Sequence, residues 1–255
     1  LTKMKKQIAL IFTLLSIGVF GQDSTTNAEV AFANGNKAYL EESYTEAVSL
    51  YQSVLAQGVH SKELYLNLGN AYYKKGETAA SILYYERGLL HFKNDSDLLT
   101  NLRFAENQRI DKIEALPLSI TQQLYTFFDR WLSASAWGLL GFLALIMYAV
   151  LRLFKAYKPF RFSVLFSSLT LVTAALSIAI SLFIGYQGSK LKYAIIFEPS
   201  TPVFSDPKLG SSILFELHEG TKVQQIGSFD SFENIKIANG QSGWISATAI
   251  RKIEE

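Results

Sequence analysis

The residues that could carry chemistry are few and scattered. The three histidines, His60, His91 and His218, share no metal-ligand spacing such as i, i+4 on one helix. They read as surface residues in a loop, at a helix end and in a β-turn. The chain has no cysteine, which excludes disulfides, thiol catalysis and thiolate zinc or iron–sulfur sites. It has no glycine-rich phosphate loop and no Gly-x-Ser-x-Gly elbow. Glu41-Glu42 and the pair Asp95 and Asp97 look like solvated helix edges. No catalytic residue, cofactor or metal is expected, and the chain reads as a non-enzyme. What remains is recognition: asparagine amides can pair with the N–H and C=O of an extended chain, and aromatic rings offer flat apolar contacts.

The elements that must position such groups follow from composition. Of 255 residues, 49% are hydrophobic and only 18% charged, with a mean hydropathy of +0.16. Soluble domains carry about 25% charged residues, so the deficit needs a location. It is concentrated in three runs. The first, Ile8–Phe20, follows Lys3, Lys5 and Lys6 and reads as a signal peptide over 1–21, with Val19 and Gly21 small enough for a cleavage site. An uncleaved anchor is the alternative, but the run is short for a span. The second run is charge-free from Trp131 to Leu151, and the third from Phe162 to Ser189. They predict transmembrane helices over 136–155 and 162–187. Outside these runs the surface is ordinary: residues 22–118 carry 13 acids and 9 bases, and residues 190–255 carry 8 and 7. The net charge of +2 predicts no nucleic-acid partner.

Between the spans, Arg152, Lys155, Lys158 and Arg161 stand without an acid. This basic stretch determines topology by the positive-inside rule, with 156–161 as the cytoplasmic loop. The leader independently places the preceding segment outside. The expected location is the cytoplasmic (inner) membrane, with both folded domains extracytoplasmic (periplasmic). No ionisable residue lies deep in either span, which argues against a transporter. Small residues such as Gly138, Gly141, Ser167, Ser168, Ala174, Ala175, Ser177 and Ala179 suit close helix packing. Residues 118–132 space Ile120, Leu124, Phe127, Phe128, Trp131 and Leu132 as an amphipathic helix. It either lies at the membrane interface or serves as a linker helix packed on the preceding domain.

The N-terminal part repeats itself. Gly35 aligns with Gly69, Asn36 with Asn70, Ala47 with Ser81 and Tyr51 with Tyr85, each at an offset of 34. This period, with Tyr65, Leu68, Gly69, Tyr72, Gly76 and Tyr85, resembles the tetratricopeptide repeat, a helix–turn–helix unit. The resemblance implies a domain over 22–117, with repeats at about 28–61 and 62–95 and a capping helix over 96–113. It also implies a protein-binding groove on the inner face of the first helices, carried by Phe32, Asn36, Tyr39, Leu66, Asn70 and Tyr73. A carboxylate clamp would need bases where Phe32 and Asp97 stand.

Residues 194–255 change character. Short β-prone runs at Val203-Phe204, Ile213–Phe215, Val223–Ile226, Ile235–Ile237 and Trp244-Ile245 alternate with turn residues, including the hairpin signal Asn239-Gly240. Five strands in about 60 residues suit a small barrel. Pro202–Ser205, Leu217–Val223 and Asn239–Ile245 resemble a bacterial SH3-like domain. There Trp244 packs on the barrel, or it lines a ligand surface with Phe229 and Phe232.

The expected fold class is thus a multidomain membrane protein: α-helical tetratricopeptide repeats, a two-helix transmembrane hairpin and a small all-β SH3-like barrel. This order is similar to that of BatE-type membrane proteins of the Bacteroides aerotolerance (Bat) operon. The resemblance implies a role in oxidative-stress tolerance beside von Willebrand A-domain membrane proteins and a MoxR-type ATPase. Two functions are expected from it: a membrane-anchored scaffold or adaptor binding protein partners, or a peptidoglycan-binding protein acting through the SH3-like domain. The lipid bilayer is a partner in both.

Overall fold

The computed structural model describes residues 22–157 and 163–254. The expected leader over 1–21, and Lys158 and Arg161, lie outside the described residues. Among the described residues are eight α-helices and one seven-stranded antiparallel sheet. They form two compact units, divided between Arg109 and Ile110.

The first unit contains α1 (Gln22–Leu40), α2 (Tyr44–Ala56), α3 (Lys62–Lys75), α4 (Thr78–His91) and α5 (Ser96–Glu106). Helix α1 packs on α2 and α3 on α4, and each pair is joined by a short turn. The turns use one device twice. After α3, Gly76 adopts φ 78°, its N–H donates to Tyr73 O and the Glu77 N–H donates to Tyr72 O. After α1, Glu42 adopts φ 59°, its N–H donates to Tyr39 O and the Ser43 N–H donates to Ala38 O. Both are left-handed caps that satisfy the last helical carbonyls. Starts are capped by side chains: Ser61 Oγ accepts from Leu64 N, and Asp95 accepts from Asp97 N and Leu98 N.

The helix pairs meet where glycine faces tyrosine. A Cβ at Gly35 would stand 2.6 Å from the Tyr51 ring, and one at Gly69 would collide with Tyr85. Both rings are fully buried, with Leu64, Leu68, Ile82 and Leu98 around them. Helix α5 ends at Glu106, short of the expected 113. Beyond it the chain is not helical, and residues from Ile110 belong to the second unit. In that unit the side chain of Asp111 bonds to the sheet at His218 and Thr221.

In the second unit, α6 (Ile120–Trp131) begins with a reciprocal cap: Ser119 Oγ accepts from Gln122 N, and Gln122 Oε1 accepts from Ser119 N. Its apolar residues Ile120, Leu124, Phe127 and Trp131 are exposed, whereas Phe128 is half-buried and meets Trp137 edge-on at 6.3 Å. Helices α7 (Ala134–Tyr157) and α8 (Ser163–Lys190) pack along each other. Stretches Ala134–Leu153 and Leu165–Lys190 are each long and apolar enough to cross a membrane. Close approach comes from small residues: Gly141 faces Ile178 and the Ala174 carbonyl, Gly138 faces Ser181, and Ser181 Oγ donates to Ala134 O at 2.7 Å. Among the described side chains of α8, Ser167, Ala174, Ser177 and Ile184 are buried, whereas Ser168, Ala175 and Ala179 turn outward. Arg152 is exposed on α7, and Lys155 belongs to its last turns.

The sheet follows, with β1 (Lys192–Ile196), β2 (Ser200–Phe204), β3 (Ile213–His218), β4 (Lys222–Phe229), β5 (Phe232–Lys236), β6 (Ser242–Ser246) and β7 (Ile250–Lys252) in the order β3-β2-β6-β5-β4-β1-β7. Five strands were expected. The additional ones are β1, whose apolar run adjoins α8, and β7, which has only three residues. Both are held by pairing with each other, Ala194 opposite Lys252 and Ile196 opposite Ile250. The core is Ala194, Ile196, Val203, Leu217, Val223, Ile235, Ile237, Ile245 and Ile250, with Ile113 packed against it. Asn239-Gly240 forms the expected hairpin between β5 and β6, with Gly240 at φ 89°.

Candidate functional site

In the helical unit, α1, α3, α4 and α5 enclose a pocket of about 350 Å³, lined by Tyr39, Asn70, Tyr73, Lys74, Tyr85, Asn101 and Phe104. Three of the six groove residues singled out in the sequence line it: Tyr39, Asn70 and Tyr73. The other three lie elsewhere. Phe32 packs tilted against Tyr51, Leu66 is half-buried, and Asn36 is engaged by its neighbours. Tyr51 Oη donates to Asn36 Oδ1 at 2.8 Å, and Asn67 Nδ2 donates to the same oxygen at 2.9 Å. Tyr85 Oη likewise donates to Asn70 Oδ1 at 2.6 Å. Each of these asparagine oxygens therefore already accepts from the tyrosine between the helices. The amide nitrogen of Asn70 is the polar group it can turn to a ligand.

Sequence reasoning missed Asn101 and Phe104, yet the 34-residue period contains them. Asn101 stands 34 residues after Asn67, and Phe104 34 after Asn70. At the position of Asn70, helix α5 carries a phenylalanine that remains 58% exposed, so the pocket gains an apolar wall. Lys74 adds a positive charge at its edge. Burial raises the Tyr85 hydroxyl pKa well above its usual value, and the Tyr51 hydroxyl to about 12. Burial, helped by Tyr44, also raises Tyr39. Tyr51 and Tyr85 donate their protons to Asn36 and Asn70, so the pocket offers a ligand the Tyr39 and Tyr73 rings, the Asn70 amide nitrogen and the apolar face of Phe104.

The same unit stacks His60 on His91, with ring centroids 4.8 Å apart, and His60 Nδ1 lies 2.7 Å from Tyr65 Oη. Spacing along the chain did not reveal this pair, because it joins the loop before α3 to the last residue of α4. Among the described residues no group of three or more potential ligands could hold a metal.

In the sheet unit, the segment after α5 is fastened by Asp111. Its carboxylate accepts from His218 N at 2.7 Å, from Thr221 Oγ1 at 2.7 Å and from His218 Nδ1 at 2.8 Å. A carboxylate only accepts, so Nδ1 carries the proton. Burial alone would raise the Asp111 pKa, but the three hydrogen bonds and the His218 charge outweigh it, and the net shift is downward. The Leu116 N–H donates to Ala238 O, extending the fastening.

The aromatic residues expected on one ligand surface divide. Phe229 is exposed at the β4–β5 turn, opposite Phe232. Phe232 is buried and meets Phe204 edge-on at 6.3 Å. Trp244 is half-buried and pairs across the strands with Phe204 and Asn234. Cross-strand partners share a face, so Phe204, Phe232 and Trp244 form a small cluster opposite the core of Val203, Ile235 and Ile245. The core thus closes without Trp244. No family model matches the chain, and no curated protein matches it.

Proposed function

We propose that this chain is a membrane-anchored extracytoplasmic scaffold, whose helical unit acts as a tetratricopeptide domain that captures a protein partner. The observation that carries the proposal is the Tyr39–Asn70–Tyr73–Phe104 pocket, which joins aromatic walls to amide and hydroxyl donors. The 34-residue identity of the Asn36–Tyr51 and Asn70–Tyr85 contacts supports the repeat assignment. Helices α7 and α8 are the anchor, and Arg152, Lys155, Lys158 and Arg161 orient it with their loop in the cytoplasm. On this reading the sheet is an SH3-like module, and the resemblance stated above points to Bat-type von Willebrand A-domain membrane proteins as partners and to oxidative-stress tolerance as the setting.

The test is co-purification of the full chain from detergent-solubilised membranes after gentle crosslinking. Partner recovery is expected, reduced by Tyr73→Ala and Phe104→Ala, neither of which removes a buried core side chain. Recovery of the chain alone would refute the scaffold. A second reading, peptidoglycan binding, is favoured by Trp244, which is half-buried beside the buried Phe204 and Phe232 and keeps ring area that can stack on a sugar. Sedimentation of the full chain with purified cell wall, abolished by Trp244→Ala, would support it instead.

A further inference from the structure

We infer that the recess of about 550 Å³ where α8 meets the sheet binds the headgroup of an anionic phospholipid. This rests on reading α7 and α8 as membrane spans. Its lining includes Lys190, Lys192, Lys252, Gln224, Ser228 and Glu233. Three cations and one anion leave a net charge of +2 around the recess. Glu233 is nearly buried and is held by Lys252 at 3.5 Å. Lys190 Nζ is fixed against Tyr186, 2.6 Å from its hydroxyl and 4.0 Å above its ring. Gln224 Nε2 donates to Lys190 O at 3.0 Å, tying strand β4 to the end of α8. The recess is therefore a built junction of helix and sheet, with hydroxyl and amide donors among the lysines.

Its depth in the membrane follows from two neighbours. Lys190 is the last residue of α8, where a span leaves the hydrocarbon and lysines reach the phosphate layer. Two residues earlier, Gly188 lies against Tyr125 of α6. The Tyr125 ring thus meets α8 about 3 Å along its axis from Lys190. The face of α6 bearing Ile120, Leu124, Phe127 and Trp131 is exposed, as in a helix lying at the acyl boundary. The recess then opens into the headgroup layer, where its net positive charge favours an anionic headgroup over a zwitterionic one.

The experiment uses the full chain floated with liposomes of phosphatidylcholine, with and without phosphatidylglycerol, and spin-labelled forms of both lipids. Phosphatidylglycerol should be preferred, and the preference should fall about fivefold per lysine in Lys190→Gln and Lys192→Gln. The corresponding arginine variants should keep it. Unchanged preference in the double glutamine variant overturns the assignment. So does a preference abolished by inorganic phosphate but not by chloride at equal ionic strength, which would make the ligand a free anion. Flotation with both liposomes but no lipid preference overturns the recess alone. Flotation with neither overturns the membrane reading, and the recess with it.

Discussion

The two left-handed helix caps offer a controlled comparison within one molecule. They lie 34 residues apart, and each closes its helix with the same pair of hydrogen bonds, at 3.1 and 2.9 Å after α1 and 3.0 and 3.0 Å after α3. Their φ values are 59° at Glu42 and 78° at Gly76. An L-residue in this region costs about 1–2 kcal/mol, whereas glycine does not meet that penalty. Glycine's greater freedom in the unfolded chain takes back about 0.5–1 kcal/mol. Glu42→Gly should therefore stabilise α1–α2 by about 1 kcal/mol, and Gly76→Ala should destabilise α3–α4 by a similar amount. Packing does not confuse the second substitution, because nothing lies within 4 Å of a Cβ at Gly76. The assay is hydrogen exchange on the full chain in detergent, read over peptides spanning 38–56 and 72–91. About fivefold slower exchange is expected for Glu42→Gly and about fivefold faster for Gly76→Ala. Faster exchange in Glu42→Gly would refute the cap argument.

Gly69→Ala should cost about 1–3 kcal/mol, because its methyl collides with the buried Tyr85 ring, and the same peptides should exchange faster in thermal or denaturant series. Asp111→Ala should cost about 2–3 kcal/mol in the sheet unit, since it strips a charged acceptor from the His218 N–H and Thr221; exchange at residues 216–222 reports it. The folded Asp111 pKa lies below the unfolded one, so this contribution is present above the unfolded value of 3.8 and is lost as pH falls through the folded value. Tyr51 behaves oppositely. Its folded pKa of about 12 exceeds the unfolded 10.0, so its contribution is complete below pH 10 and disappears as pH rises toward 12. An alkaline absorbance titration should show Tyr51 and Tyr85 ionising only as the helices unfold. Ionisation of all tyrosines in one step near pH 10, with helices intact, would contradict it.

Local patterns carry far in this chain, and the places where they stop are instructive. The 34-residue offset pairs Gly35 with Tyr51 and Gly69 with Tyr85, and the coordinates put both pairs in contact. The charge-free runs become α7 and α8, and Asn239-Gly240 becomes a hairpin. The pocket was half legible. Tyr39, Asn70 and Tyr73 follow from the repeat, while Phe104 was hidden because α5 departs from the repeat pattern at neighbouring positions such as Glu106. Strand β7 was hidden because three residues carry no periodicity; only pairing with β1 makes them a strand.

The sequence by itself determined the period of the helices, the position of the two apolar helices and the turn residues between strands. All of these depend on side-chain type at spacings of a few residues. Only the tertiary structure decided that Asp111 binds His218 and Thr221, 107 and 110 residues away. It alone brought His60 onto His91, and gathered Lys190, Lys192 and Lys252 around one recess. The physical reason is that a carboxylate or a lysine has no intrinsic direction along the chain. Where it acts is set by which distant donor or charge the packed core brings within hydrogen-bond reach.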